Sequence, residues 1–249
     1  MDAFRQPIEQ SLNMPGTLVI MAKAPRPGLV KTRLARSLSV SAATELYRCL
    51  LDDTIALAQA LDGIEVAIMC PEPDVEELVR ATGGTVPVVP QIGSGLEAGL
   101  NTVFAHFTGE GRRPIVAFNS DSPHLPASVL AGAFRSLAEC DLVVGPTHDG
   151  GYYLVGATAT HPGLFTEDVM GTTNAFESLL ARARALGLTT HLTDPGYDID
   201  EPADLKRLAT ELRRAPWMAP RTSAWLLASE QSESRAVQNG QAAQQGEDE

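Results

Sequence analysis

Cysteine, tryptophan and positive charge are all scarce in this chain. Three cysteines, Cys49, Cys70 and Cys140, are spread over 249 residues. No C-x-x-C spacing occurs, which excludes the usual cysteine metal site or dithiol redox pair. Each thiol lies in or beside an apolar run and reads as a small buried hydrophobe, in keeping with a reducing compartment. Lys and Arg number 19 against 31 Asp and Glu, for a formal net charge of −12. A nucleic-acid binder needs a basic face to meet phosphates, so general DNA or RNA binding is excluded. No apolar run approaches the ~18 to 20 residues of a membrane span. Residues 1–16 carry Asp2, Glu9 and Gln10 and lack the apolar core of a secretory signal. A cytoplasmic protein with no membrane span is the expectation.

What is present is an alternation of strand and helix patterns. Leu18 to Ala22, Val66 to Cys70, Val86 to Val89, Pro114 to Phe118, Asp141 to Gly145, Tyr152 to Val155 and Leu188 to Leu192 read as strands. Helical patterns fall at 41–61, 74–81, 96–107, 126–139, 173–186 and 203–213. The apolar positions Leu46, Leu50, Ile55, Leu57 and Leu61 recur at roughly helical spacing. Such alternation predicts an α/β domain with a mostly parallel central sheet and helices on both faces. The expected organisation is an N-terminal extension over 1–16, one domain over 17–215, and a disordered tail over 216–249. The tail is expected because the pattern decays beyond Ala215 and residues from Ser229 on are rich in Gln, Ser, Glu, Gly and Ala with few large apolar groups.

In such sheets ligands bind beyond the carboxyl ends of the strands, and the unusual loops of this sequence follow strands. After the first strand comes Lys23-Ala24-Pro25-Arg26-Pro27-Gly28-Leu29-Val30-Lys31-Thr32-Arg33. It holds four cations within eleven residues of an acidic chain. Lysine offers phosphate a point charge and arginine a two-pronged fork. A plain solvated basic loop is the other reading, and the Walker pattern is absent. After Phe118 comes Asn119-Ser120-Asp121-Ser122-Pro123, where Asp121 can hold Mg²⁺ beside phosphates or simply cap a turn. Asp198-Ile199-Asp200 offers further metal ligands or an N-cap for the last helix. In His148-Asp149-Gly150-Gly151-Tyr152, Asp149 can serve a hydroxyl as hydrogen-bond acceptor or base, and Tyr152 can pack on a sugar or base. A Gly-Gly hairpin turn explains the same letters. Gly93-Ser94-Gly95 is either a wrap for a nucleotide base or a generic turn. No G-x-S-x-G elbow supports a serine hydrolase.

Taken in order, K-A-P-R-P-G-L-V-K-T-R-L, N-S-D-S-P, G-P-T-H-D-G-G-Y-Y-L-V-G and D-I-D-E-P-A-D-L resemble a bacterial glycosyltransferase-like family. That family lies within the nucleotide-diphospho-sugar transferases of GT-A fold. A more distant similarity is to the guanylyltransferases of deazaflavin cofactor biosynthesis. The resemblance covers about Leu18 to Arg213. It implies a GT-A-like, Rossmann-like three-layer sandwich that transfers a group from a nucleotide or nucleotide-sugar donor to a small-molecule acceptor. It implies nucleotide and phosphate contacts from Ala22, Lys23, Arg26, Lys31, Arg33 and Gly95, and acceptor contacts from Gly150, Gly151 and Tyr152. Catalytic roles are implied for Asp121, Asp149 and Lys31, and Mg²⁺ or Mn²⁺ held by Asp121, Asp200 and Asp198. Glycosyl transfer is the expected reaction, nucleotidyl transfer with release of pyrophosphate the first alternative, and nucleotide binding without catalysis the second. The chain departs from its relatives in two places. Gly93 to Leu100 lacks the acid and arginine of their G-D-L-G-x-R stretch, and Met170-Gly171-Thr172 lacks a tryptophan.

Overall fold

The computed structural model describes residues 16–166 and 174–245, with side chains through 232. Residues 1–15 of the expected extension 1–16 and the departure at 170–172 therefore lie outside the described residues, and Gly16 opens the first strand. Seven strands form one sheet: β1 (Gly16–Met21), β2 (Ile64–Cys70), β3 (Val88–Pro90), β4 (Ile115–Asn119), β5 (Leu142–Pro146), β6 (Tyr152–Ala157) and β7 (Thr190–Leu192). Their order across the sheet is β3-β2-β1-β4-β6-β5-β7. All pairs are parallel except those of β6, which runs antiparallel to β4 and β5. The β5–β6 connection is a hairpin, and Gly150 and Gly151 sit in its turn.

The central strands are apolar on both faces because helices cover both. The helices are α1 (Val40–Gln59), α2 (Val75–Ala81), α3 (Gly95–Gly109), α4 (Ala127–Ser136), α5 (Ala175–Ala185), α6 (Pro202–Arg214) and α7 (Pro220–Gln245). Leu18 and Ile20 of β1 pack with Tyr47, Leu51 and Ile55 of α1 and Leu130 of α4. Val19, between them in sequence, packs on the opposite layer with Val103 and Phe104 of α3 and Leu179 of α5. This is the period-two alternation of a strand feeding two cores. A third core joins Leu46 and Leu50 of α1 to Leu208 and Leu212 of α6 and Leu226 of α7.

The last of these helices corrects the expected disordered tail. α7 begins at Pro220, and Ala219, Thr222, Ser223 and Leu226 are buried. The segment orders because its docking uses few large side chains and a helix cap supplied from elsewhere. The Asp53 carboxylate of α1 accepts hydrogen bonds from the Arg221 and Thr222 amides at 3.1 and 2.8 Å. These amides belong to the first turn of α7, which has no partners within its own helix.

Parallel pairing fixes where the site lies. Met21 is in register with Asn119, so the loops after β1 and β4 leave the same edge of the sheet. β5 and β7 run parallel to one another, and β6 reverses between β4 and β5. The 147–151 turn and the 193–200 segment therefore reach that same edge.

Candidate active site

A cleft of about 880 Å³ opens along this edge. Its walls include Ala22, Lys23, Lys31 and Arg33 after β1, Gly93 to Leu96 before and at the start of α3, and Asp121 and Asp200. The loop after β1 is anchored twice. Arg26 donates to Asp74 at 2.7 Å, to Glu77 at 2.8 Å and to the Pro73 carbonyl at 2.7 Å. Asp74 also accepts from the Ala24 amide at 2.9 Å. Arg26 is thus committed to the acids at the start of α2, whereas Lys23 and Arg33 face the cleft.

The second anchor is Tyr47 of α1, which the motifs did not flag. Its buried hydroxyl accepts from the Lys23 amide at 3.0 Å and lies 3.2 Å from the Lys23 carbonyl and 3.0 Å from Ser120 Oγ. One hydroxyl proton cannot serve both oxygens. When Tyr47 donates to the carbonyl, Ser120 donates to Tyr47. Two turns along α1, Thr54 Oγ1 lies 2.8 Å from the Leu50 carbonyl and 3.2 Å from the Ser120 carbonyl and can donate to either. One helix face therefore ties the β1 loop to the β4 loop. The available signal was a tyrosine hydroxyl in an otherwise apolar helical stripe, which needs a partner when buried.

Lys31 lies between the acids. Its ammonium bonds Asp121 Oδ2 and lies 3.0 Å from Asp200 Oδ1. Arg33 reaches the other oxygen of Asp200 at 3.6 Å. The Lys31 side chain is 4% exposed. Burial opposes its charge, but the carboxylates of Asp121 and Asp200 outweigh that and hold its pKa above the ordinary lysine value. Among the described residues Lys31 is the non-glycine with positive φ, at 49°. This left-handed conformation costs an L-residue roughly 1–2 kcal/mol.

Asp200 is free for this work because another residue caps α6. Asp204 Oδ2 accepts from the amides of Glu201 at 2.7 Å and Asp200 at 3.2 Å. The segment carrying Asp198 and Asp200 is set by Tyr153 of β6. The Tyr153 hydroxyl contacts Thr193 Oγ1 at 2.6 Å and the Asp194 carbonyl at 2.9 Å. Its ring is clasped by glycines. A Cβ on Gly145 would stand 2.5 Å from it, and a Cβ on Gly196 would stand 2.8 Å from it.

Asp121, Asp198 and Asp200 bring carboxylate oxygens within 4.8 Å of one another. Opposite oxygens of a Mg²⁺ octahedron with bonds near 2.1 Å stand about 4.2 Å apart, so these three carboxylates could hold a divalent cation once drawn to that span. The electrostatics agree. Burial and the charges of Asp121, Asp200 and Asp149 push Asp198 up to about 7, against the opposing pull of Lys31.

The acceptor-side residues divide. Tyr152 lines a second cavity of about 220 Å³ with Met21, Leu96, Leu100, Asn119 and Asp198. Asp121 borders both cavities. Asp149 lines neither. Its Oδ1 accepts from Thr147 Oγ1 and from the Gly151 amide at 3.2 Å, closing the hairpin turn. Gly150 and Gly151 line neither cavity.

Residues 54–172 match the family model described as "Uncharacterized protein conserved in bacteria (DUF2064)". The chain also shares the fold of a crystal structure from Desulfovibrio desulfuricans G20, called a "putative nucleotide-diphospho-sugar transferase". The two superpose with a TM-score of 0.82 at 24% identity, over 87% of this chain and 96% of that one. A nucleotidyl transferase from Methanothermobacter thermautotroptrophicus is more distant, with a TM-score of 0.54 at 17% identity over 82% and 99% of the two chains. CMP:2-keto-3-deoxy-manno-octonic acid synthetase, solved with CTP, gives 0.52 at 12% identity over 80% and 99%. No curated protein matches the sequence. The fold implied by the motifs is borne out: the chain shares it with these proteins.

Proposed function

We propose that the protein is a metal-dependent transferase that moves a glycosyl group from a nucleotide-diphospho-sugar to a small neutral acceptor. The observation that carries this reading is the meeting of Lys31, Asp121 and Asp200 in one cleft. Lys23, Lys31 and Arg33 supply the positive charge for the donor's diphosphate. The first turn of α3 adds backbone N–H groups at Gly95, where a helix N-terminus favours an anion. Asp121, Asp198 and Asp200 are the residues to hold Mg²⁺ or Mn²⁺, whose charge would neutralise the departing diphosphate.

In the transfer, the bond from the sugar's anomeric carbon to the diphosphate breaks and a bond to an acceptor oxygen forms. Nucleoside diphosphate leaves with the electron pair. Lys31 and Arg33 stand where that negative charge grows, and preorganised charge of this kind is often the largest catalytic contribution. The acceptor hydroxyl gives up its proton as the new bond forms, and Asp149, near enough to Asp198 for its charge to raise that group's pKa, is assigned as the carboxylate that takes it.

The smaller cavity supports glycosyl transfer over the alternative. Among its lining residues none is Lys or Arg, and Asp121 and Asp198 supply negative charge. A phosphorylated acceptor would meet carboxylates there with the shared metal as its one positive partner among the lining, which disfavours it. A hydroxyl group can instead donate to those oxygens. Nucleotidyl transfer is the second reading. Lys23, Lys31 and Arg33 together suit a triphosphate as well as a diphosphate. There a phosphorylated acceptor would attack the α-phosphorus and pyrophosphate would leave.

The test is the product. Nucleotide-sugars with neutral polyols, and nucleoside triphosphates with sugar phosphates, are incubated with the full chain and Mg²⁺. Release of nucleoside diphosphate from the first set supports the proposal. Release of pyrophosphate from the second alone overturns it in favour of nucleotidyl transfer. Binding of nucleotides with no turnover in either set returns the non-catalytic alternative.

A further inference from the structure

We propose that Lys31 is a built-in surrogate cation of the metal centre. Its ammonium neutralises Asp121 and Asp200 while the cleft holds no nucleotide, and it must leave them before a divalent cation can bind well. The proposal rests on the metal assignment made above, and goes beyond it.

The geometry is that of competition for the same oxygens. Two of the three carboxylates that meet within 4.8 Å, Asp121 and Asp200, are bonded to one ammonium. That ammonium is almost fully enclosed, with 4% of its side chain exposed. Three ionised carboxylates against Lys31 and Arg33 leave one residual negative charge, so the cluster still attracts a cation. An arriving Mg²⁺ would nonetheless meet a positive charge already in place. Like charges held this close in an enclosed site repel strongly.

The donor's diphosphate removes that conflict. It offers the ammonium new oxygen partners on the other side of the cleft, which Lys31 also lines. Metal and nucleotide then bind more tightly together than either does alone. By linkage the strengthening is equal in both directions. The left-handed φ of Lys31 fits this role. It is a local cost that persists because surrounding contacts over-determine it, as strained residues at functional sites do. Gly28, at φ 78°, and the prolines at 25 and 27 shape the loop that carries it.

The test uses Mn²⁺ alone as the probe, with no nucleotide and no turnover. Mn²⁺ binding to the full chain is measured by electron paramagnetic resonance for wild type, Lys31→Met, and each combined with Asp121→Ala. Folding is checked by circular dichroism. Should Lys31→Met fail to fold, Lys31→Gln carries the same comparison. The expected result is Mn²⁺ binding at least tenfold tighter in the Lys31 variant, and abolished by Asp121→Ala. Binding that depends on Asp121 but is no tighter without Lys31 overturns the surrogate role and leaves the metal centre standing. Binding that ignores Asp121, or none in either protein, overturns the metal centre and the surrogate role with it.

Discussion

The Lys31 ammonium stands 3.0 Å from Asp200 Oδ1, across 169 positions of sequence, and bonds Asp121 on its other side. The first expected outcome concerns stability. Asp121→Ala leaves a buried ammonium with Asp200 alone, whose side chain is 40% exposed. Losing a charged hydrogen bond at such a site costs about 2 kcal/mol. Adding Lys31→Met should recover much of that loss, because the unpaired charge goes with it. Urea denaturation of the single and double variants measures both. An Asp121→Ala variant as stable as wild type would contradict the pairing.

The second concerns pH. Asp198 titrates near 7 in the folded protein against 3.8 for an ordinary aspartate. The folded state therefore holds this proton more tightly than the unfolded chain. Its stabilising effect is complete below about 3.8 and is lost as pH rises towards 7. A metal must displace the same proton. Mn²⁺ affinity should fall about tenfold per pH unit below 7 and level off above it. Calorimetric titration between pH 5.5 and 8 checks this, and Asp198→Asn should flatten the profile. A flat wild-type profile would remove Asp198 from the ligands.

The third concerns His124, three residues past Asp121. Its ring is 6% exposed, and neither ring nitrogen has a partner among the described residues. It packs on Tyr197 with centroids 4.2 Å apart. Burial drives its pKa down to about 4, with Glu211 opposing and Arg207 adding to the fall. An unfolded imidazole takes up its proton near 6.5. The stability of the neutral, buried ring is thus complete above 6.5 and falls between there and 4, by about 3 kcal/mol in all. His124→Phe should lose less stability than wild type between pH 7 and 4.5. Equal losses in urea denaturation at the two pH values would contradict the assignment.

The fourth concerns the helix that the composition hid. Asp53→Ala removes the acceptor for two amides at the start of α7 and should cost about 2 kcal/mol. Amide exchange should quicken first in residues 221–226. Unchanged exchange there would mean that packing alone holds the helix.

Much of this site was legible because strand order and loop chemistry follow strong local rules. Continuous apolar runs marked β1 and β4, and the ligand-at-strand-end rule then placed Lys31 and Asp121 at one edge. What stayed hidden depends on long-range partners that leave no local pattern. Arg26 looks like a phosphate ligand in its loop, and only the position of α2 reveals Asp74 and Glu77 beside it. Asp149 looks like a free carboxylate, and its turn partners, Thr147 and Gly151, appear only once the hairpin closes. α7 has a polar composition and is held by Asp53, an acid set within the buried face of a different helix. A buried aspartate in an apolar stripe was the signal that some helix end would come to meet it.

The central claim is that phosphates and a metal share the cleft built by Lys31, Asp121 and Asp200. It is tested most directly by calorimetric titration of nucleoside diphosphates, with and without Mg²⁺, into wild type and Asp121→Ala. At least one should bind the wild type, at least tenfold more tightly with Mg²⁺, and that Mg²⁺ dependence should vanish in the folded variant. Equal binding to the variant, or no binding of any nucleoside diphosphate to the wild type, would contradict it.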